Sequence, residues 1–378
     1  MKKSKVKQRT DGRFEERITI DGKRISVYGQ NATEVKRKAK EIRKEVAKGN
    51  LVTNTTRLEI ALHSYLYSVK QSRLKATSFD RVESTFIYHI KNETLGRLQL
   101  RAIQPQDIQQ LLSKKCQEGL SASSIKKIYN LLGEFFRYAT ATRNLSHNPM
   151  DLVEMPHHEK ILHKPKEMEI LSVDEVKRII VEAEQTFKSG ISGYRYGEAI
   201  ILLVLTGMRA GEVRGINKRD IDFEKKHLRV KDNVTYAKDR ENGGIKNIIS
   251  STKTKKSERY IPLNDRAMLA VNRLMATTYN SDTGYLLCTT KGKIVTHSHL
   301  ARCYSSILKK AGISHMGLHS TRHTFATMVL KQAEDKGQIK EVSELLGHSQ
   351  VSTTYEYYIK TSNEDKRTLV NQLDAIAS

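Results

Sequence analysis

The sequence predicts a multidomain chain, mainly α-helical with small antiparallel β-sheets. Three observations predict it. Residues 57–148 repeat apolar side chains at helical spacing. Residues 14–29 and 227–263 instead alternate apolar and polar side chains between turn residues. Residues 149–170 hold Pro149, Pro156 and Pro165, three of the five prolines in the chain, and read as a linker. The expected order is a ββ(β)α module over 1–52, a four-helix domain over 57–150, a linker over 151–170, and a mixed α+β domain over 171–378 that closes with a tail helix.

The first module starts from FEERITI and KRISVYG, which flank Asp21-Gly22, a strong hairpin signal. Asn31 or Thr33 can cap the helix that follows, which ends at Gly49. Residues 1–50 carry 16 Lys or Arg against 7 Asp or Glu, a net of +9. So small and basic a unit has little core and gains its purpose on a polyanion.

In the helical domain, RLEIALHSYLYSVK, SFDRVESTFIYHI, QPQDIQQLLSKKCQEG and SASSIKKIYNLLGEFFRYATATRN each carry one apolar face. Ser121 precedes the last as an N-cap, and Ile125, Ile128, Leu131, Leu132, Phe135 and Phe136 form its stripe. These aromatics are core rather than a stacking platform. The linker histidines His157, His158 and His163 lack cysteines or a fixed geometry around them, so no metal site is expected there.

The last domain opens with a capping box, Ser172 with Glu175. The uniformly apolar helix GEAIILLVLTG is then buried and ends at Gly207. Arg209 lies just past it, with Glu212 three residues on. An arginine buried here needs a carboxylate or a phosphate. Three β-like runs over 227–263 predict a small antiparallel sheet with the basic tip STKTKKSER, where Lys253 sits between two threonines. Further on, His319 and Arg322 are spaced i, i+3 on one helix face. His319 and His323 have the i, i+4 spacing of a zinc helix, but Ser320 stands where its glutamate would be, and no metal is expected. His348 follows a helix-ending glycine, and Tyr355, Tyr357 and Tyr358 come soon after.

The net charge is +24, which implies a polyanionic partner, nucleic acid first. The longest apolar run, residues 199–205, is far too short for a bilayer, and no apolar segment follows MKKSKVKQRT to make a secretory signal. Cys116, Cys288 and Cys303 are odd in number and show no CxxC spacing. A reduced, cytoplasmic, membrane-free protein is expected.

Arg209, Lys253, His319, Arg322 and His348 are all donors suited to phosphate. Two guanidiniums can clamp the non-bridging oxygens of a phosphodiester and stabilise the charge of its transition state. A tyrosine can be the nucleophile, and a lysine the general acid for the leaving 5′ oxygen. No acidic cluster at metal-ligand spacing accompanies them, which fits a reaction without metal or other cofactor.

At these residues the sequence resembles the tyrosine recombinase (phage integrase) family, over nearly its whole length. TGMRAGEV at 206–213, LHSTRHTFAT at 318–327 and LLGHSQVSTTYEYY at 345–358 resemble its first, second and third boxes. The resemblance implies a catalytic set of Arg209, Lys253, His319, Arg322, His348 and the nucleophile Tyr357, with Glu212 in support. Tyr357 lies nine residues after His348, the family's usual spacing; Tyr355 and Tyr358 compete with it, and Lys255 is the fallback for Lys253. The resemblance makes residues 1–52 an arm-type DNA-binding domain like those of bacteriophage and conjugative-transposon integrases. It makes 57–150 the core-binding domain and 171–378 the catalytic domain. The implied partners are double-stranded DNA at core-type and arm-type attachment sites, an excisionase and a host DNA-bending protein. A free monomer would assemble into a homotetrameric synapse in a bacterial nucleoid. The implied activity integrates and excises a mobile element or prophage without metal or ATP. A DNA-binding regulator without catalysis, or a topoisomerase-like relaxing enzyme, is the alternative.

Overall fold

The structure is a computed structural model, and it describes residues 6–9, 12–20, 23–47, 56–157, 161, 163, 168–189, 192–251, 258–277, 284–332, 336–347, 350–352 and 354. The chain divides into two compact units, Met1–Lys166 and Glu167–Ser378.

The first unit begins with strands β1 (Lys7–Gln8), β2 (Phe14–Ile20) and β3 (Lys23–Gly29), antiparallel in that order. β2 and β3 pair from Phe14↔Gly29 to Ile20↔Lys23, the expected hairpin strands; the Asp21-Gly22 turn and Gly49 lie outside the described residues. Helix α1 (Ala32–Ala47) packs on both strands. Asn31 rather than Thr33 caps it: its Oδ1 accepts the Glu34 N–H at 2.8 Å, and the Glu34 carboxylate accepts the Gln30 N–H at 2.8 Å. Ile18, Val27 and Ala39 make a core of a few side chains.

Helix α2 (Leu58–Tyr65) runs through a π-helical turn, Leu66–Lys70, into the short α3 (Gln71–Arg73). Then come α4 (Ala76–His89), α5 (Thr94–Arg97), α6 (Pro105–Gln117) and α7 (Ala122–Ala141). α4 and α6 pack on α7, whose predicted stripe from Ile125 to Phe136 is fully buried. Burial of each such side chain contributes ~1.5–3 kcal/mol. Ser121 Oγ accepts the Ser124 N–H at 3.3 Å, the expected cap. Met150, Val153 and Ile161 belong to this same core. The start of the proline-rich stretch therefore packs with the helices, because a 3₁₀ turn, Pro149–Leu152, carries Pro149 and Met150 inward while Leu152 stays exposed.

The second unit is built around one buried helix. α8 (Val173–Ala183) carries the predicted capping box. α9 (Gly197–Thr206) is apolar on all sides from Ala199 to Leu205 and packs against α8 and three later helices: α11 (Asp265–Thr277), α12 (His297–Lys310) and α13 (His319–Leu330). α10 (Ala210–Arg214) follows it directly, and α14 (Lys336–Leu346) packs on α13.

The β region differs from a single sheet. β4 (Ile221–Asp222), β5 (His227–Val230) and β8 (Arg259–Pro262) form one sheet in the order β4-β5-β8, while β6 (Asp232–Lys238) and β7 (Ile245–Ser251) form a separate hairpin. The cause lies in α10. Its Gly211 approaches β6 so closely that a Cβ would sit 2.1 Å from Asn233 Oδ1. Arg214, fully buried, donates to the carbonyls of Val234 (2.9 Å) and Val295 (2.6 Å) and to Asn247 Oδ1 (3.0 Å). The hairpin is thus held to α10 rather than to the neighbouring strands.

Candidate active site

Three of the predicted catalytic residues, Lys253, His348 and Tyr357, lie outside the described residues, as do Lys255, Tyr355, Tyr358 and the tail from 361 to 378. Arg209, Glu212, His319 and Arg322 are described, and one helix end gathers the two arginines.

α9 stops at Gly207, whose φ of +62° is the left-handed cap expected of a glycine. The chain turns there, and Arg209 becomes the residue that caps α10. Glu212, one turn into α10, reaches back. Its Oε2 accepts the Arg209 N–H at 2.8 Å and its Oε1 accepts Arg209 Nη1 at 2.8 Å. The sequence expects a buried arginine. Instead the carboxylate is the buried partner, 5% exposed, while the Arg209 side chain is 41% exposed. The helix-capping geometry turns the glutamate inward and leaves the arginine head at the surface.

Glu212 has a second partner. Arg259 on β8 grips both its oxygens, Nη2 to Oε2 at 2.8 Å and Nη1 to Oε1 at 3.2 Å. Burial alone would raise the carboxyl pKa. The hydrogen bonds and charge of Arg259, then the charge and backbone N–H of Arg209, overcome it and hold the group down at about 2.

The last turn of α14 completes the arrangement. Its terminal carbonyls have no acceptor role left within the helix. Arg259 Nε donates to Leu345 O at 2.8 Å, Arg322 Nη2 to Leu346 O at 2.8 Å, and Arg209 Nη2 to Gly347 O at 3.3 Å. Arg322 Nη1 also donates to Gly207 O at 2.9 Å, across 115 residues of sequence. Two helix ends, those of α9 and α14, are therefore fastened together by guanidiniums. Gly347 has a φ of +67°, so α14 ends where the sequence predicts, one residue before His348.

His319 begins α13, its ring edge-on to His323 at 4.5 Å. Burial lowers its pKa, and the charges of Arg322 and Arg209 lower it further. These effects favour the neutral imidazole at neutral pH. Around it, Ser320 Oγ and the Tyr304 hydroxyl are 2.9 Å apart, and Thr324 Oγ1 accepts the Leu171 N–H at 2.9 Å. These buried contacts fix α13 and hence both functional side chains at its start.

The sequence reading overlooked Arg259. A signal was present, since strand alternation sets Arg259 on the same face as Ile261, which is buried. An arginine on the inward face of a strand requires a partner.

Residues 169–364 match the phage integrase family. A XerC-like tyrosine recombinase of Caldanaerobacter subterraneus subsp. tengcongensis is 31% identical over 371 residues, 93% of this chain and 91% of that protein. In fold the chain is similar to the Tn1549 transposon integrase solved with circular intermediate DNA (TM-score 0.67, 19% identity, 84% of this chain and 100% of that one). It is also similar to the lambda integrase solved as a tetramer bound to a Holliday junction (TM-score 0.56, 19% identity, 93% and 94%). The chain therefore belongs to the phage integrase family and is a tyrosine site-specific recombinase.

Proposed function

We propose that this recombinase is the integrase of a mobile element or prophage, acting on double-stranded DNA through a 3′-phosphotyrosyl intermediate. The observation that carries the chemistry is the exposed head of Arg209 beside Arg322 at the end of α14, a ready site for a phosphate with two non-bridging oxygens. In this reading Arg209 and Arg322 clamp the scissile phosphate and offset the charge that builds in the transition state. The Tyr357 oxygen attacks phosphorus, the bond to the 5′ oxygen breaks, and Lys253 protonates that leaving oxygen. The tyrosine proton passes to the neutral His319, and His348 donates to a phosphate oxygen. The ester formed keeps the energy of the bond broken, so reversal by a new 5′ hydroxyl reseals the strand without ATP.

Two features support an integrase. A basic sheet-and-helix module precedes the helices, as an arm-type DNA-binding domain would. The tetrameric lambda complex, which matches 93% of this chain, supports a homotetramer as the working assembly; an excisionase and a host bending protein are the further partners of this reading. The XerC-like relative, similar over 93% of the chain, favours a second reading, a recombinase of paired like sites. A nicked suicide substrate tests the chemistry: a covalent adduct should form, and Tyr357→Phe should abolish it while Tyr355→Phe and Tyr358→Phe keep it. An adduct that persists in Tyr357→Phe sinks the nucleophile assignment. Footprinting separates the two readings, since an integrase protects a second class of site through residues 1–52 and a like-site recombinase protects only one.

A further inference from the structure

We propose that Arg259 is a positioning residue for strand cleavage, acting through Glu212 and the end of α14 to aim the guanidinium of Arg209. The proposal rests on the reading of Arg209 as a phosphate ligand.

Arg259 contacts both groups that orient Arg209. The first is Glu212. Each carboxylate oxygen takes one bond from Arg259 and one from Arg209: Oε1 from the two Nη1 atoms, Oε2 from Arg259 Nη2 and the Arg209 N–H. The carboxylate cannot turn toward Arg209 without giving up a bidentate partner. The second is the exit of α14. Arg259 Nε holds Leu345 O, and its head lies so close to Gly347 that a Cβ there would be 2.9 Å from Nη1. Gly347 is the residue whose carbonyl receives Arg209 Nη2.

Arg259 is itself withdrawn from the reaction. Its side chain is 10% exposed against 41% for Arg209, and its Nε, Nη1 and Nη2 each already have an acceptor. Its fork is spent on the Glu212 carboxylate and the Leu345 carbonyl, at and beside the two acceptors of Arg209, so its part is to direct that ligand. Without Arg259, Glu212 is held from one side only, and both bonds that define the direction of the Arg209 head, to Glu212 Oε1 and to Gly347 O, lose their backing.

The test uses full-length protein and a nicked suicide substrate, with a phosphate or a neutral methylphosphonate at the scissile position. Arg259→Gln should bind core DNA within about threefold of wild type, yet cleave the phosphate substrate ~10²-fold more slowly in single turnover. Arg259→Lys, which restores the charge but not the fork, should recover about tenfold of that. On the methylphosphonate the deficit of Arg259→Gln should shrink to about threefold, because the second non-bridging charge that Arg209 serves is gone. Arg259→Gln cleaving at the wild-type rate would overturn the proposal. So would a loss that follows DNA affinity or thermal unfolding and is equal on both substrates. If Arg259→Gln does not fold, Arg259→Lys decides by the same two readouts. A wild type that cleaves no site would instead fell the reading of Arg209.

Discussion

Two arginine clusters in the second unit use the same residue types, arginine and glutamate, in different ratios. On one side, Arg266 and Arg273 of α11 each contact both Glu184 and Glu198, at 2.7–3.0 Å. Two guanidiniums meet two carboxylates. At the exit of α14, Arg209 and Arg259 share a single carboxylate, Glu212, and spend further donors on backbone carbonyls. The first cluster neutralises itself and joins α11 to its neighbours. The second fixes its arginines in place without neutralising them. Carbonyls orient a guanidinium but carry no net charge, so the excess remains for an anion. The ratio of acid to base, rather than burial, separates a structural cluster from a binding one.

The sharpest way to break this contrast is substitution of one arginine in each cluster. Arg209→Ala should lower single-turnover cleavage by about 10²–10³-fold, whereas Arg273→Ala should leave it within about twofold and cost about 0.5 kcal/mol of stability, as exposed pairs do. Equal effects on cleavage would erase the distinction. Next comes the carboxylate. Glu212→Gln removes the buried partner of two guanidiniums and should cost ~3 kcal/mol in chemical denaturation, together with cleavage. Glu198→Gln leaves Glu184 in contact with both arginines and should cost about 1 kcal/mol with cleavage intact.

Gly207→Ala probes the anchor of Arg322. The left-handed φ and a Cβ placed 2.3 Å from the Phe325 ring should together cost about 2 kcal/mol, seen as a lower Tm. Acid titration gives the smallest effect. Glu212 is depressed to about 2, so its contribution to stability is complete above its ordinary value of 4.5 and is lost as pH falls toward 2. The clamp should therefore persist across the neutral range. His319 is lowered from 6.5, so its neutral form survives below pH 6.5, and the acid limb of cleavage should lie below that value. A limb above 6.5 would remove His319 as the proton acceptor.

Much of this was legible in the sequence, for local reasons. The α7 stripe, the capping box at Ser172 and the Gly207 and Gly347 helix ends depend on residues within one turn of one another. Glu212 as the partner of Arg209 is an i, i+3 relation. What was not legible is long-range. Arg259 and the Leu345 carbonyl are 86 residues apart, and a carbonyl acceptor leaves no trace in the side-chain sequence. The exposure of Arg209 was misread for the same reason, since only the packed end of α14 shows which partner faces inward. The separation of β6–β7 from the other strands depends on Gly211 and Arg214, whose roles appear only when α10 is in place.

The carbonyls that hold Arg209 and Arg322 have a practical consequence. A neutral oxygen yields to a small tetrahedral dianion more readily than a carboxylate does, so dissolved oxyanions should compete for these guanidiniums in the resting enzyme. Sulfate or inorganic phosphate in the buffer should raise the melting temperature and compete with DNA for cleavage. Chloride at the same ionic strength should do neither. Assays of this recombinase will then depend on the identity of the counter-ion as well as on its concentration.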